Sequence, residues 1–338
     1  MRRYSYTPRR SGRAVPRSQL TAQASFLPLL VPIVLVIAVV AGVGLLMRGG
    51  GGDPPSCETA SCEPAVLGDT ATPSAPAANP QPTPRHSTAP APTITGLSAA
   101  VLEEPCGKQI YAFNANTRYP PASLTKMMTA LVAVEKAQLS EVITSPIDGV
   151  ALSQETDGTV MGLDLGEQMT LRDLLYGLLM RSGQDAAIAI ADAIGGNEDS
   201  FVTMMNSAAT VLGLSNTHFT NPHGLDDPHL YTSAHDIALI GHALLQQPAL
   251  AEIVRTQAYT PDWDKGELEN INLFLTQYPG AIGVKTGFTD SAGQTIVAAA
   301  TRGDRTLLVS VLHSEDEYVD AGALLDWAFE STSPACSG

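Results

Sequence analysis

A serine and a lysine three residues apart, Ser123 and Lys126, form the pair in this sequence with the clearest chemical use. Positions i and i+3 of a helix share a face, so the hydroxyl and the amine can meet. A serine hydroxyl becomes a nucleophile when a base takes its proton, and a buried lysine at a helix start can stay neutral enough to do so. The pair predicts nucleophilic catalysis, although a capping serine beside a solvated lysine has the same spacing.

Two further short motifs carry groups that can bind a substrate. Ser182-Gly183-Gln184 lies between two predicted helices, where a turn can present a hydroxyl and a carboxamide to a cleft. Lys285-Thr286-Gly287 lies on a predicted strand. Its lysine and threonine can bind a carboxylate, and its glycine lets another backbone come close. Each motif alone also fits an ordinary turn or strand end.

The three motifs in this order resemble the serine-type D-Ala-D-Ala carboxypeptidases, or low-molecular-weight penicillin-binding proteins. S-x-x-K, an S-x-N-like motif and K-T-G are the motif set of the penicillin-binding proteins and class A β-lactamases. The similarity runs over residues 99–329. It includes PPASLTKMMTALVAVE, MTLRDLLYGLLMRSGQDAAIAIAD, LGLSNTHFTNPHGLDD and YPGAIGVKTGFTDSAGQTIVAAATR.

The resemblance implies catalytic roles for four residues. Ser123 is the expected nucleophile and Lys126 the expected general base. Ser182 is expected to relay protons to the leaving group. The backbone N–H groups of Ser123 and Phe288 are expected to form an oxyanion hole, placed where negative charge develops.

Substrate-binding roles follow from the same resemblance. Gln184 is expected to hold the substrate amide, and Lys285 and Thr286, followed by Gly287, to bind the terminal carboxylate. The family usually has asparagine at the position of Gln184. Glutamine carries the same carboxamide on a longer side chain, so this departure concerns rate and substrate preference more than the type of reaction.

The reaction that the resemblance implies is a two-step acyl transfer. Ser123 attacks the carbonyl of the penultimate D-alanine, the terminal D-alanine leaves, and water hydrolyses the acyl-enzyme. The expected substrates are peptidoglycan stem pentapeptides, and β-lactams are expected to acylate the same serine as inhibitors. The reaction is expected to need no metal and no other cofactor.

Three other functions would use some of the same residues. A class A β-lactamase needs a deacylating glutamate between the second and third motifs, but Glu267 stands in a different local sequence and too near Lys285. A non-catalytic wall-binding or sensing protein is the second alternative, in which Gln184 would prevent turnover. The intact Ser123, Lys126 and Lys285 argue against it. A zinc peptidase would draw on clustered histidines, but these form no familiar ligand spacing: His218, His223, His229, His235 and His242.

The N-terminal part of the chain predicts a membrane anchor. Residues 26–47 are uncharged and long enough to span a bilayer as one helix. Arginines precede this span, so residues 1–25 are expected to form a cytoplasmic basic tail and the catalytic domain to lie outside the cell membrane. The alternative is a cleaved signal peptide, but the apolar run is longer than such peptides carry and is followed by Arg48 and glycines.

Composition divides the rest into a linker and a domain. Residues 48–94 are rich in proline, glycine and alanine and are expected to form a semi-extended linker, whereas residues 95–338 are expected to form the catalytic domain. The net charge is −15, with seven basic and no acidic residues in residues 1–48. The remainder thus has 19 − 7 = 12 basic and 34 acidic residues, a net charge of −22. Such a surface argues against a nucleic-acid partner.

The pattern of elements predicts an α+β fold. LSAAVLEE and KQIYAFNA near the start of the domain, and VKTG, QTIVAAATR and RTLLVSVLH near its end, have the character of strands. One antiparallel sheet built from both chain ends, with helices on its faces, accommodates this order. The resemblance implies the same fold, that of penicillin-binding proteins and serine β-lactamases.

Capping signals predict where several of the helices begin. The expected N-caps are Thr170, Asn197, Thr232 or Ser233, and Ser314, the last in a capping box with Glu317. A further helix is expected to begin at Ser123.

The four cysteines are Cys57, Cys62, Cys106 and Cys336, and they have no zinc-type spacing. In an exported chain an even number permits disulfides. A bridge between Cys106 and Cys336 would tie together the two ends of the domain. Sequence alone leaves this pairing and four free or adventitiously paired thiols equally open.

Overall fold

The computed structural model describes residues 89–336, whose central element is a five-stranded antiparallel sheet. The strands are β1 (Ser98–Glu104), β2 (Lys108–Phe113), β3 (Val142–Thr144), β4 (Gln168–Thr170), β5 (Ala258–Tyr259), β6 (Leu268–Glu269), β7 (Ala281–Thr289), β8 (Gly293–Arg302) and β9 (Arg305–Ser314). The order in the large sheet is β2-β1-β9-β8-β7, while β3 pairs with β4 and β5 with β6. The sheet joins strands from both ends of the domain, so the predicted α+β class is confirmed.

Helices cover both faces of the large sheet. They are α1 (Lys126–Lys136), α2 (Gly149–Glu155), α3 (Leu171–Met180), α4 (Gln184–Gly195), α5 (Glu198–Val211), α6 (Ala234–Leu245), α7 (Pro248–Arg255), α8 (Phe274–Gln277) and α9 (Glu317–Ser331). The last helix, α9, packs on β1, β8 and β9, and α6 packs on β1 and β9.

The strand β1 explains why the sheet needs cover on both sides. Ala99 and Val101 belong to the apolar cluster beneath α9, whereas Ala100 and Leu102 belong to the larger cluster with the other helices. Successive side chains of a strand point to opposite faces. A continuous apolar run such as this one is therefore buried on both faces, which fixes the sheet between two helical layers.

Several predicted helix ends are confirmed by their hydrogen bonds. The side chains of Thr170, Asn197 and Ser233 accept from backbone N–H groups at the starts of α3, α5 and α6. Gly196 ends α4 in the left-handed conformation, with a φ of 75°. A glycine adopts this conformation without the steric cost that a Cβ would bring.

Two helix starts differ from the prediction. Ser123 does not begin an α-helix: it lies in a 3₁₀ turn over Ala122–Thr125, and α1 begins at Lys126. Tight turns of this kind are frequent at helix ends because the first backbone donors have no partner inside the helix. The helix α9 is capped by Asp316, which accepts from the backbone N–H of Val319, and not by Ser314. Ser314 instead donates to the carboxylate of Asp320 at 2.6 Å.

The two ends of the domain are joined by a disulfide between Cys106 and Cys336, which answers the pairing that the sequence left open. Beside it, the guanidinium of Arg305 donates to the carboxylate of Glu103 at 2.7 Å. The backbone N–H of Ala335 donates to the same carboxylate at 2.9 Å. The start of the sheet and the segment after α9 are thus held by covalent and polar contacts together.

The predicted membrane span at residues 26–47 lies outside the described residues. Within residues 89–336, no single helix has the length and apolar character needed to cross a membrane. The helices α6 and α7 reach these values only when taken together, and the chain bends by 104° between them.

Candidate active site

Ser123 is presented by a constrained backbone. The preceding residue, Ala122, has a φ of 49°, a left-handed conformation that is uncommon for a residue with a Cβ. The carbonyl of Ala122 lies so close to Gly224 that a Cβ there would sit 1.9 Å from its oxygen. Strained residues of this kind persist only where the surrounding structure holds them, and they concentrate at functional sites.

The predicted meeting of Ser123 and Lys126 is confirmed. The Nζ atom of Lys126 lies 3.0 Å from the Oγ atom of Ser123 and donates to the backbone carbonyl of His223 at 2.6 Å. The side chain of Lys126 is only 3% exposed. The amine is therefore fixed between the hydroxyl and a carbonyl, within reach of the serine proton.

The charges around Lys126 favour its neutral form. Burial holds the pKa of Lys126 well below its usual value, and the nearby Lys285 lowers it further, while Asp185 opposes the shift. Lys285 is 1% exposed, and burial lowers its pKa to about 7. An amine that loses its proton this readily can serve as a base for a serine hydroxyl.

The turn between α3 and α4 forms a second wall of the site. Ser182, in the middle of this turn, has a φ of 60° and a buried side chain. Its carbonyl accepts from the Oγ1 atom of Thr159 at 2.8 Å, and the N–H of Gly183 donates to the carbonyl of Gly177 at 3.0 Å. These contacts fix a left-handed serine that would otherwise be unfavourable.

Gln184 is buried and held by its neighbours. The hydroxyl of Thr156 donates to the Oε1 atom of Gln184 at 2.8 Å. A Cβ at Gly158 would lie only 2.0 Å from the same oxygen. The absent side chain of Gly158 thus leaves room for the long side chain of Gln184, and the threonine fixes which way its carboxamide points.

Asp185 is a structural support that the sequence analysis missed. Its buried carboxylate accepts from the backbone N–H groups of Met161, Gly162 and Leu163 at 2.8–3.0 Å. It also accepts from the N–H of Ala186 at the start of α4 at 2.9 Å. The segment 161–163 is therefore tied to the turn that carries Ser182. The sequence signal that could have indicated this role is the position of Asp185 in the first turn of a predicted helix, where a carboxylate can accept from free backbone N–H groups.

The strand β7 forms the third wall. A Cβ at Gly287 would lie 2.9 Å from the backbone nitrogen of Ser123 and 2.8 Å from the Oγ1 atom of Thr295. Glycine is therefore needed for the strand to lie against the backbone of the serine turn, as the sequence predicted. Lys285, two residues earlier on this strand, is buried, and its Nζ atom donates to the carbonyl of Thr286 at 2.7 Å.

A cleft of about 230 Å³ opens between these walls. The predicted site residues that line it are Ser123, Lys126, Ser182, Gln184, Thr286, Gly287 and Phe288. Lys285 is the predicted residue that does not line the cleft. The structure thus brings together three motifs that are separated by more than 50 residues each in the sequence.

Other residues of the cleft were not assigned a site role from the sequence. His223 contributes the carbonyl that holds Lys126, and Asp157 and Glu317 bring carboxyl groups to the cleft. Burial lowers the pKa of His223 to about 3, and the charge of Lys126 adds to this effect, so its ring is neutral. The turn NPHGL was visible in the sequence, but the contact of its carbonyl with Lys126 was not.

Apart from His223, the residues on which the β-lactamase and zinc-peptidase alternatives depend lie outside the cleft. Glu267 does not line the cleft of the described domain. His235 and His242 lie on α6, where they bond to Gln109 of β2 and Glu104 of β1, respectively. Within residues 89–336, no three histidine, cysteine or acidic side chains are grouped as metal ligands.

Comparisons with known proteins agree with this geometry. A family model described as D-alanyl-D-alanine carboxypeptidase matches residues 85–316. The chain is 35% identical over 241 residues to the D-alanyl-D-alanine carboxypeptidase DacF of Bacillus subtilis, covering 69% of this chain and 61% of the relative. It is 36% identical over 248 residues to DacA of Haemophilus influenzae, covering 70% of this chain and 63% of the relative. The chain spans less than two thirds of the length of either relative.

A solved structure shows the same fold. The crystal structure of the Streptomyces K15 DD-transpeptidase superposes with a TM-score of 0.68 at 32% sequence identity. The match covers 72% of this chain and 100% of that chain. The predicted family resemblance is confirmed by these matches.

Proposed function

Because the chain belongs to the D-alanyl-D-alanine carboxypeptidase family, we propose that it is a serine carboxypeptidase acting on peptidoglycan stem pentapeptides. The proposed reaction removes the terminal D-alanine through an acyl-enzyme on Ser123. The observation that carries this proposal is the buried contact of 3.0 Å between the Ser123 hydroxyl and the Lys126 amine, in a cleft that also holds Ser182, Gln184 and Thr286.

Acylation begins with the attack of Ser123 on the substrate. Neutral Lys126 takes the proton of Ser123 as its Oγ atom attacks the carbonyl carbon of the penultimate D-alanine. The backbone N–H groups of Ser123 and Phe288 are proposed to stabilise the oxyanion that develops. The close approach of Gly287 to the Ser123 nitrogen supports this role, because it brings β7 beside the serine turn.

The release of D-alanine completes the acyl-enzyme. Ser182 is proposed to relay the proton from Lys126 to the leaving amine, so that the peptide C–N bond breaks as the amine gains its hydrogen. Water then attacks the ester on Ser123 with Lys126 as its base, and the shortened peptide leaves with a new carboxylate. Ser182 and Lys126 both line the cleft, which supports the relay.

Substrate binding is assigned to the two other walls. We propose that the carboxamide of Gln184 bonds to the substrate amide. The hydroxyl of Thr156 donates to its Oε1 atom and so fixes the direction in which the carboxamide points, which supports this role. The hydroxyl of Thr286 is proposed to bind the terminal carboxylate, with the buried Lys285 of the same strand contributing positive charge. Gly287 permits the close contact between strand and serine turn that this placement needs.

The proposal also explains why β-lactams are expected to bind. A β-lactam presents a strained amide with a carboxylate nearby, which matches the groups that the cleft is proposed to recognise. Attack by Ser123 opens the ring and leaves an ester on the serine. The amine leaving group stays attached to the acyl part, so hydrolysis of the ester is hindered.

Defined muropeptides with mass spectrometry of the products test the proposal. The wild-type domain is expected to shorten pentapeptides by one D-alanine, and Ser123→Ala is expected to abolish this reaction. A matched control is Ser153→Ala on α2, an exposed serine outside the cleft that should keep full activity. D-alanine release that persists in Ser123→Ala would contradict the proposal.

We further propose that residues 26–47 anchor the protein in the cell membrane as a single span. Residues 1–25 would lie in the cytoplasm, residues 48–94 would form the linker, and the catalytic domain of residues 95–338 would act outside. The arginine-rich start and the uncharged run of residues support this topology. Membrane fractionation with N-terminal sequencing tests it: an intact N-terminus in the membrane fraction is expected, and a soluble form that begins after the apolar run would contradict it.

A further inference from the structure

A second cavity, of about 480 Å³, lies beside the catalytic cleft and is not used by the proposed mechanism. Two of its walls continue walls of the cleft, since residues 118–120 lead to Ser123 and residues 226–231 follow directly on Leu225. Its third wall contains Ser291, which follows the end of β7. The cavity therefore begins where the cleft ends.

Hydrogen bonds hold these walls together. The backbone groups of Tyr119 and Thr232 bond to each other in both directions, at 2.8 and 2.9 Å. The hydroxyl of Thr289, the last residue of β7, donates to the carboxylate of Asp226 at 2.7 Å. The backbone around the cavity is thus tied to the strand that forms the third wall of the cleft.

The direction of the bound substrate places the cavity on its acyl side. The terminal carboxylate is proposed to lie at Thr286, and the reacting carbonyl at the backbone N–H of Phe288. The residues of the stem peptide that precede D-Ala-D-Ala therefore lie beyond Phe288, towards Thr289 and Ser291. The third residue of the stem peptide is the first of these. An extended chain advances by about 3.3 Å per residue, so the side chain of this residue can reach the cavity.

The cavity carries charged groups of both signs that are not paired with each other. The guanidinium of Arg118 lies over the ring of Tyr231, 4.4 Å from its centroid, and donates to the carbonyl of Ser215 at 3.5 Å. A guanidinium has five N–H donors, so others stay free for a carboxylate. Asp226 and Asp227 supply two carboxylates. Among the ion pairs of the described domain, none includes this arginine or either aspartate.

We infer that this cavity is a subsite for the third residue of the stem peptide and favours a diamino acid whose side chain ends in both an amine and a carboxylate. Such a side chain carries a cation and an anion on one carbon. The cavity offers Asp226 for the amine and Arg118 for the carboxylate. A side chain that ends in an amine alone leaves Arg118 without a partner. The inference rests on the proposed function, since it concerns the substrate of that reaction.

Three peptides that differ in one residue test the inference. They have the sequence L-Ala-γ-D-Glu-X-D-Ala-D-Ala, in which X is meso-diaminopimelate, L-lysine or L-norleucine. The wild type is expected to have a higher kcat/KM for the diaminopimelate peptide than for the lysine peptide. Arg118→Gln removes the cation and should lower kcat/KM for the diaminopimelate peptide by roughly threefold to tenfold. It should change kcat/KM for the lysine peptide by less than about twofold.

Asp226→Asn tests the other half of the subsite. The amide keeps an oxygen that can accept from Thr289, so the hydrogen bond to β7 is retained. The variant should lower kcat/KM for the diaminopimelate and lysine peptides, which carry an amine, and leave the norleucine peptide near its wild-type value.

Two control variants separate these effects from general changes of charge. Arg255→Gln and Asp304→Asn remove charges from exposed residues outside the cavity and the cleft. Neither should change a ratio between two peptides by more than about twofold. A thermal melt and the rate of acylation by benzylpenicillin, which are expected to stay at their wild-type values, check that each variant is folded.

The same comparison is made with dissociation constants in the Ser123→Ala background, where no acyl-enzyme can form. Adding Arg118→Gln there should weaken binding of the diaminopimelate peptide relative to the lysine peptide. A wild type without this preference, an unchanged ratio, or an equal loss for all three peptides would overturn the inference. Failure of the proposed function would show itself differently, as an absence of D-alanine release by the wild type, and the dissociation constants would still decide the role of the cavity.

Discussion

Buried charges occur in two regions of the described domain, and their surroundings differ. Beneath the cleft, the amines of Lys126 and Lys285 are buried without a carboxylate bonded to either. Beside the disulfide, the buried carboxylate of Glu103 is bonded to Arg305 and to the N–H of Ala335. The first region keeps amines that lose their protons easily, and the second keeps a carboxylate charged.

The pKa shifts in the two regions express this difference. Burial alone would raise the pKa of Glu103, but the hydrogen bonds from Arg305 and Ala335 outweigh it and hold the pKa below its ordinary value. Burial lowers the pKa of Lys126 and of Lys285, and no bonded acid restores either. A buried ionisable group without a partner lowers stability. The reactive amines of the cleft therefore destabilise the fold, whereas the paired charges beside the disulfide stabilise it.

Replacing Lys126 is expected to have the largest effect. Lys126→Met keeps the length of the side chain and removes the base, so the rate of penicillin acylation should fall by roughly a hundredfold to ten-thousandfold. The folded state should be as stable as the wild type or more stable, because a buried amine without a bonded acid is replaced by an apolar side chain. Stopped-flow acylation and denaturant unfolding measure the two quantities.

Lys136→Met is the matched control for this variant, since Lys136 is an exposed lysine at the other end of the same helix. It should leave the acylation rate unchanged. A Lys126→Met protein that is strongly destabilised, or that acylates at the wild-type rate, would contradict the view that the buried amine of the cleft serves reactivity and not stability.

The pH dependence of acylation follows from the same shift. The base acts in its neutral form, and Lys126 is neutral above its own pKa, which lies well below the usual 10.5 of lysine. The acylation rate is therefore expected to rise with pH and to level off well before 10.5. A rate that keeps rising up to the ordinary pKa of lysine would show that the amine in solution is not perturbed in this way.

Removing the charge of Glu103 is expected to affect stability and not catalysis. Glu103→Gln leaves Arg305 without its carboxylate in a largely buried place and should lower the free energy of unfolding by about 3 kcal/mol. The control is Glu135→Gln, which breaks an exposed contact with Lys136 and should cost less than about 1 kcal/mol. Equal losses in the two variants would contradict the distinction between paired buried and exposed charges.

The pH dependence of this loss has a definite sign. Because the pKa of Glu103 is lower in the folded state, its stabilising effect is fully present above its unfolded pKa, near 4.5, and is lost as the pH falls through the folded value. The stabilities of the wild type and Glu103→Gln should therefore converge in acid.

Gln184 is expected to give the smallest of the three main effects. Gln184→Ala should lower kcat/KM for a D-Ala-D-Ala peptide by roughly fivefold to a hundredfold, the cost of about 1–3 kcal/mol for one lost hydrogen bond. Gln184→Asn should keep or raise turnover, because it restores the residue that the family usually has. If Gln184→Ala leaves kcat/KM unchanged, this carboxamide does not bind the substrate.

Thr156→Val offers a control on the orientation of that carboxamide. It removes the hydroxyl that donates to the Oε1 atom of Gln184 and leaves the size of the side chain nearly the same. The kcat/KM value should fall by less than in Gln184→Ala, because the carboxamide is still present but no longer fixed.

Short sequence motifs and capping residues predicted the parts of the fold and the site that are formed by neighbouring residues. The spacing of Ser123 and Lys126 made their contact possible, and the three motifs together predicted it. The caps Thr170, Asn197 and Ser233 were visible as residue types before apolar runs. The sheet was predictable because its strands are long and apolar at both ends of the domain. Each of these features depends on residues that lie close together in the sequence, and local sequence patterns can predict features of that kind.

Other features of the site depend on contacts between segments that are far apart in the sequence, and these were not predicted. The carbonyl that holds Lys126 belongs to His223, 97 positions away, and any residue type could supply it. The left-handed backbone of Ala122 and Ser182 is imposed by packing and not by residue type. The short strands β3 to β6 and the helices α2 and α7 were not predicted, because elements of this length carry little periodicity.

The proposed acyl-enzyme is tested most directly by mapping a covalent penicillin adduct. The purified domain is incubated with a fluorescent penicillin, digested, and analysed by mass spectrometry. The adduct is expected on the peptide that contains Ser123, and Ser123→Ala should show none while keeping the wild-type melting temperature. An adduct on a different residue, or undiminished labelling of Ser123→Ala, would contradict the assignment of Ser123 as the nucleophile.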